Sequence, residues 1–175
     1  MASIVTGTIT VNISVEYGGE FAGIYTGDFS YDDTHLTKVG TEVIGINTAN
    51  RNLPGLLSLN FRFLDFDTGL TPVTYTARDD SRFPISPVLA FENGIPTEFG
   101  FLVDPDKKGG ILGANNGFGF LSPKFFRFAV RGGTIGGEGL VTLEINKPIS
   151  VAENYSPVTS LLAVLSLGAA YFWRN

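Results

Sequence analysis

A regular alternation of apolar and polar residues near the N-terminus is the feature that most constrains the fold. Ile9, Val11, Ile13, Val15 and Tyr17 alternate with Thr8, Thr10, Asn12, Ser14 and Glu16. A period of two predicts a long β-strand with one buried face. Gly18–Gly19 then predicts a two-residue hairpin turn, because glycine tolerates the positive φ that such turns need. The segment from Glu20 to Tyr31 is predicted to return as the second strand.

The rest of the body repeats this pattern in short segments separated by turn residues. Asn93–Gly94 is a strong hairpin signal. The glycine-rich stretch from Arg131 to Gly139 lacks the Lys-Ser/Thr of a phosphate-binding loop, so it is interpreted as a turn. Further strands are predicted at 41–46, 57–66, 73–77, 88–92, 98–103, 118–121, 124–131 and 139–145. Roughly nine or ten short strands without helical periodicity predict an all-β fold, an antiparallel β-sandwich or jelly-roll-like domain.

Composition excludes several classes of function. The formal net charge is -5 and the sequence pI is about 4.8, so the charge pattern does not favour nucleic acid as a partner. The chain has no cysteine, which rules out disulfides, thiolate metal sites and a cysteine nucleophile. His35 is the only histidine, too few for a two-histidine metal site. The sequence therefore predicts a protein that is not an enzyme and that needs no cofactor, calcium excepted.

Carboxylates at the ends of predicted strands are the candidate metal ligands. Asp28, Asp32 and Asp33 lie near the end of the second strand, and Asp65 and Asp67 follow another. If these turns meet at one rim, their oxygens could hold Ca²⁺, which takes six to eight oxygen ligands. The alternative is turn chemistry, because aspartate side chains bond to nearby backbone N–H groups. A glycosidase would need a pair of carboxylates, and no pair is singled out here.

Aromatic residues offer a second kind of site. Tyr25, Tyr31, Tyr75 and Phe125 are candidates for stacking on sugar rings if they are exposed. The alternative is that they belong to the core, since the chain has 15 Phe and 6 Tyr to bury.

The C-terminal segment differs from the body. Residues 158–173 carry no charge and are mostly apolar, with Pro157 before them and Arg174 after them. As a helix, this segment would be about 24 Å long at ~1.5 Å per residue, somewhat short of the ~30 Å hydrocarbon core of a bilayer. Flanking aromatic residues such as Tyr155 and Trp173 could extend it by lying at the interfaces. It is predicted to be a membrane helix, with a buried core helix as the alternative. Residues 1–7 show neither the basic nor the apolar region of a secretory signal peptide.

This tail resembles the PEP-CTERM sorting signals of exported bacterial proteins, which combine a Pro-Glu-Pro box, an apolar helix and a basic end. Glu153 matches the box, 161–173 the helix and Arg174 the basic end, while Ala152 and Asn154 replace the two prolines and Pro157 is displaced. In the body, 26–32 and 89–94 look similar to segments of exported β-sandwich proteins with such tails, notably in cyanobacteria. The resemblance implies recognition by an exosortase-type processing enzyme.

Together these observations predict a β-sandwich domain at 1–146, a linker at 147–157 and a hydrophobic sorting or anchor helix at 158–175. The expected function is that of a non-enzymatic structural or interaction protein of the cell surface or extracellular matrix. The expected partners are the membrane, through the helix, and an exopolysaccharide. The alternative function is a lectin-like module that binds carbohydrate or calcium.

Overall fold

The computed structural model describes residues 3–48, 52–66, 70–105, 116–122, 124–130, 132–133 and 135–146. Within these ranges, the chain forms twelve strands. The elements in chain order are β1 Ile4–Ile13, α1 Val15–Gly18, a 3-10 turn Gly19–Phe21, β2 Gly23–Asp32, β3 Thr41–Gly45, β4 Leu53–Pro54, β5 Leu56–Leu64, β6 Pro72–Thr76, a 3-10 turn Ala77–Asp79, β7 Val88–Glu92, β8 Ile95–Gly100, β9 Leu102–Val103, β10 Gly117–Ser122, β11 Phe125–Val130 and β12 Ile135–Ile145.

The strands form two sheets. The larger sheet has eight strands in the order β6-β5-β2-β1-β12-β11-β10-β9, and the smaller has four in the order β4-β3-β7-β8. Every neighbouring pair is antiparallel except β3 and β4. The prediction of an all-β, antiparallel fold is therefore confirmed for the body of the chain.

The larger sheet curls into a half-barrel around a core of phenylalanine rings. Phe61 and Phe63 on β5 contact Phe118 on β10 and Phe126 on β11, although several strands separate them within the sheet. The ring centroids of Phe63 and Phe126 are 4.9 Å apart, in the edge-to-face arrangement that aromatic pairs prefer. The curl lets both halves of the sheet bury the same apolar face.

The inner face of the smaller sheet closes this core from the side. The Phe91 ring of β7 lies 5.2 Å from Tyr31 of β2, and the Phe99 ring of β8 lies 6.2 Å from Phe29. Leu89 and Ile44 are fully buried in the same cluster. The alternating apolar residues of both sheets therefore meet in one continuous core.

The opening hairpin is confirmed, but its turn is not the predicted one. β1 and β2 pair antiparallel from Ile4↔Asp32 to Ile13↔Gly23. However, β1 ends at Ile13, and the connection contains α1 and a 3-10 turn instead of a two-residue Gly18–Gly19 turn. The prediction that the strand continues to Tyr17 is wrong, because the chain turns at Ser14, whose carbonyl accepts hydrogen bonds from the N–H groups of Tyr17 and Gly18.

Two further details differ from the expected pattern. Leu57 is 55% exposed, because the pairing of β2 with β5 shifts register so that Tyr31 faces Leu56 instead. The predicted turn up to Gly139 is partly strand, since β12 begins at Ile135. By contrast, Asn93 and Gly94 both have positive φ, 50° and 78°, as a tight hairpin between β7 and β8 requires.

The linker at 147–157 and the helix at 158–175 lie outside the described residues and stay predictions. Among the helices that the described ranges contain, none has the length and apolarity needed to cross a membrane.

Candidate functional site

At one end, the outer face of the larger sheet carries a row of three large apolar side chains and one asparagine. Ile24, Asn12, Leu140 and Phe125 face one another in register across β2, β1, β12 and β11. Leu140 is 60% exposed, Phe125 is 52% exposed, and Ile24 is also exposed. Successive side chains of a strand point to opposite faces of the sheet. The neighbours of these residues point into the core, and the row itself therefore faces solvent.

The helix α1 adds an aromatic ring to this end of the sheet. Phe21, just after α1, is buried and its ring meets Phe128 edge-on with centroids 5.9 Å apart. This contact ties the segment to the end of the half-barrel. Tyr17, one turn earlier, is 59% exposed and lies beside the row. The side chain that sequence periodicity assigned to the core is therefore part of a surface site.

Together these elements form a cleft of about 450 Å³, here called the Tyr17 cleft. It is lined by Asn12, Ser14, Tyr17, Phe125, Glu138, Gly139 and Leu140. Its size lies within the roughly 300–1,000 Å³ of small-ligand sites, which are typically apolar with a few polar groups. Next to the cleft, Arg127 Nε lies 3.5 Å from Glu138 Oε1 and pairs with this carboxylate.

The lining determines what the cleft can bind. Two exposed rings, Tyr17 and Phe125, offer faces that can stack against C–H groups. Asn12 can donate and accept hydrogen bonds, whereas the Glu138 carboxylate only accepts them. An amphipathic ligand with flat apolar faces and many hydroxyl groups satisfies both kinds of surface. A phosphorylated ligand does not, because the only charged residue that lines the cleft, in the described part of the chain, is an acid.

A second hollow of about 640 Å³ shares Leu140 with the cleft. It is lined by Pro96, Thr97, Lys124, Leu140, Val141, Thr142 and Leu143. No aromatic ring is among its described lining residues, so of these two hollows the Tyr17 cleft is the one that offers stacking.

Of the predicted sugar-stacking residues, only Phe125 has the expected exposure. Tyr31 is 4% exposed, and burial, followed by the nearby charge of Asp33, raises its pKa to about 12. The hydroxyl of Tyr25 donates to the Phe21 carbonyl at 2.9 Å, and burial raises its pKa. The hydroxyl of Tyr75 donates to the Leu64 carbonyl at 2.7 Å. These three tyrosines serve the core, as the alternative interpretation expected.

Sequence reasoning missed Tyr17. A usable signal was present: Ser14 followed by Glu16 is typical of a helix start, with a cap residue and an acid in the first turn. The apolar alternation hid this signal, because Val15 and Tyr17 continue the period of the strand.

The predicted calcium ligands that the structure describes lie in and just after β2 and just after β5. Asp28 lies within β2 and accepts a hydrogen bond from Asn60 Nδ2 at 2.9 Å. Asp32 is four residues further along this strand, about 14 Å away at ~3.4 Å per residue. Asp65 follows β5, and its backbone N–H donates to Thr71 O at 3.0 Å. Asp67 lies outside the described residues.

Asp32 and Asp33 are adjacent but serve different local partners. Asp32 accepts hydrogen bonds from the hydroxyl and N–H of Thr34, which lower its pKa. Burial alone would raise the pKa of Asp33, but hydrogen bonds from Lys38 at 2.9 Å and from Ser3 outweigh it and lower the pKa. Within the described ranges, no three His, Cys, Asp or Glu side chains come close enough to hold a metal ion. The full predicted set, with Asp67, stays a prediction.

The sorting-signal residues Glu153, Pro157 and Arg174 lie outside the described residues. In comparisons with known proteins, no family model, curated protein or solved structure matches this chain. The geometry of the cleft is therefore the main basis for a functional proposal.

Proposed function

We propose that this chain is a non-enzymatic interaction protein of the bacterial cell surface that binds carbohydrate in the Tyr17 cleft. The observation that carries the proposal is the pair of exposed rings, Tyr17 and Phe125, beside the polar side chains of Asn12 and Glu138. Aromatic rings provide large contact area on a rigid side chain, and adjacent polar groups fix the orientation of the ligand. We further propose that the antiparallel β body is a sandwich-related scaffold for this site.

Prolines on the edge strands favour ligand binding to a sheet face over pairing of an added strand at a sheet edge. Three of the four edge strands of the described sheets, β4, β6 and β8, contain Pro54, Pro72 and Pro96, respectively, and the fourth, β9, is only two residues long. Proline has no N–H to offer an added strand, and natural sheets use it to block edge-to-edge association. The exposed apolar row on the outer face has no such protection, which is the usual mark of an interaction surface.

Binding without catalysis is proposed because of the carboxylate content of the cleft. Glycoside hydrolysis ordinarily uses two carboxyl groups that flank the scissile bond. Glu138 is the carboxylate among the described lining residues, and Arg127 pairs with it. Among the described lining residues, the second carboxyl group that such hydrolysis ordinarily uses is missing.

Delivery to the surface is proposed from the sequence of the tail. The uncharged segment 158–173 and the resemblance of Glu153 and Arg174 to a sorting signal support an anchored or processed form at the cell surface. Intact-mass measurement of the native protein from membrane and extracellular fractions tests this part. A full-length form confined to the cytoplasm would contradict it.

A glycan array with purified protein tests the proposed binding. We expect binding to a subset of neutral glycans, and we expect Tyr17→Ala and Phe125→Ala each to weaken it roughly two- to tenfold, since aromatic contacts contribute about 0.5–1.5 kcal/mol beyond area burial. Phe83→Ala is the matched control, because Phe83 is also exposed but lies outside the cleft. Absence of binding to every glycan, or equal loss in the control, would refute carbohydrate as the ligand.

Calcium is tested separately by thermal unfolding. A ligand present at 100 times its Kd stabilises the folded state by about 2.7 kcal/mol. An unchanged melting temperature with millimolar calcium would refute calcium binding. It would not affect the proposal that the cleft binds carbohydrate.

A further inference from the structure

We propose that the Tyr17 cleft is one end of an extended binding surface, here called the groove, for a linear, uncharged polysaccharide chain. This surface continues over the outer face of β1, β2 and β12. This inference rests on the proposed carbohydrate binding and adds the class of ligand. It depends on a different set of residues, so its failure can be separated from failure of the cleft itself.

The residues next to the cleft form a row of hydroxyl groups. Thr10 on β1 faces Thr26 on β2 and Thr142 on β12 in register. This threonine row lies two residues along β1 from Asn12, about 7 Å from the cleft at ~3.4 Å per residue. Thr26 and Thr142 are exposed and Thr10 is half-buried between them. The row spans two strand spacings, about 10 Å.

The hydroxyl groups of the threonine row are available for a ligand. In the described part of the chain, none of Thr10, Thr26 and Thr142 makes a side-chain hydrogen bond to protein. Hydroxyls elsewhere on the same outer face are already used: Ser30 and Ser58 bond to each other at 2.6 Å. A threonine hydroxyl both donates and accepts, as does a sugar hydroxyl, so the row matches a ligand with repeated hydroxyl groups.

The next row selects against an anionic chain. Thr8 faces Asp28 on one side and Glu144 on the other, and both acids are exposed. With Glu138 in the cleft, carboxylates lie at both ends of the groove. These three acids outnumber the two nearby cations, Arg127, which pairs with Glu138, and Lys124, which lines the hollow that includes Thr142. Like charges repel, so a uronic-acid or sulfated polymer would bind poorly. A neutral chain can instead donate hydroxyl hydrogen bonds to these carboxylates.

The length of the groove distinguishes a chain from a single terminal sugar. The outward residues of β1 from Asn12 to Thr8 cover four residues, about 14 Å at ~3.4 Å per residue. A monosaccharide between Tyr17 and Phe125 would not reach the threonine row. A ligand of several linked units would contact the rings and the hydroxyls together, and its affinity would increase with chain length.

Calorimetry with disaccharides and hexasaccharides tests the groove. The probes are neutral linear oligomers of glucose, mannose, galactose and xylose. The variants are Thr10→Val, Thr142→Val and the double variant, which keep the β-branched shape and remove the hydroxyl. Thr74→Val on β6 is the matched control, since Thr74 is an exposed threonine distant from the groove in the strand order. Circular dichroism melting confirms that each variant folds.

The groove predicts a specific pattern of losses. Wild-type protein should bind a hexasaccharide at least tenfold more tightly than the disaccharide of the same sugar. Each valine variant should lose roughly two- to tenfold in hexasaccharide affinity, with disaccharide affinity and the Thr74→Val control unchanged. Three results would refute the groove but not binding in the cleft. They are equal affinity of the wild type for both oligomer lengths, unchanged hexasaccharide affinity in the double variant, and an equal loss of affinity for both lengths in the valine variants. Binding of no oligomer at all would overturn both proposals.

Discussion

The absence of a Cβ atom at Gly137 leaves the space that the backbone of α1 occupies. Substitution of Gly137 by alanine therefore gives a quantitative test of the site. Gly137 lies on β12 opposite Phe128. A Cβ atom at this position would lie 2.1 Å from the Tyr17 carbonyl oxygen and 2.8 Å from Phe128 Cε1. Ordinary contact begins at 3.4 Å, so the backbone of α1 must move by about 1.3 Å, the difference between 3.4 and 2.1. This movement carries Tyr17 with it.

The added methyl group of alanine overpacks a site that is already filled, and this lowers the stability of the folded protein. We predict that Gly137→Ala lowers the free energy of unfolding by about 1–3 kcal/mol, or about 2–4 °C in Tm for each kcal/mol. Urea unfolding monitored by far-ultraviolet circular dichroism measures this change. Displacement of Tyr17 should also weaken binding of the neutral oligosaccharide that the wild type binds.

Gly23→Ala is the matched control for this experiment. Gly23 is also a strand glycine, at the start of β2, but its added Cβ would lie 3.7 Å from the Tyr25 ring, an ordinary contact. We expect its stability to change by less than about 0.5 kcal/mol. If Gly137→Ala were as stable as Gly23→Ala and bound ligand normally, α1 would not be packed on β12 as described.

Two further predictions concern the scaffold. Phe63 is fully buried among Phe118, Phe126 and Phe128, so Phe63→Ala should cost about 3–5 kcal/mol in urea unfolding; a cost similar to that of exposed Phe83→Ala would refute a shared aromatic core. The pKa of Asp33 is lowered in the folded state, so its stabilising contribution is present above its ordinary value of 3.8 and is lost as pH falls through the folded pKa. Thermal melts should therefore show Asp33→Asn less stable than wild type at neutral pH, with the gap narrowing in acid; a gap independent of pH would contradict the role of its charge.

Local signals in the sequence predicted the elements that depend on neighbours in the chain. The alternation around Ile9 and Val11 predicted β1 and its buried face, and Asn93–Gly94 predicted the β7–β8 hairpin. Such signals are reliable because the side-chain period of a strand and the positive φ of a tight turn are local properties. Among the four aromatic candidates for stacking, Phe125 is the exposed one, but periodicity alone did not distinguish it from the three tyrosines that serve the core.

The sequence by itself determined an antiparallel β protein with one buried face on each long strand. Only the tertiary structure decided that the larger sheet curls, which brings Phe63 to Phe126 and removes Tyr31 from the surface. It also decided that the apparent strand residue Tyr17 belongs to α1 and lines a cleft. The reason is physical: periodicity indicates which residues prefer burial, whereas register and the space left by Gly137 depend on strands distant in the chain. A site built from β1, α1, β11 and β12 exists only after those strands have paired.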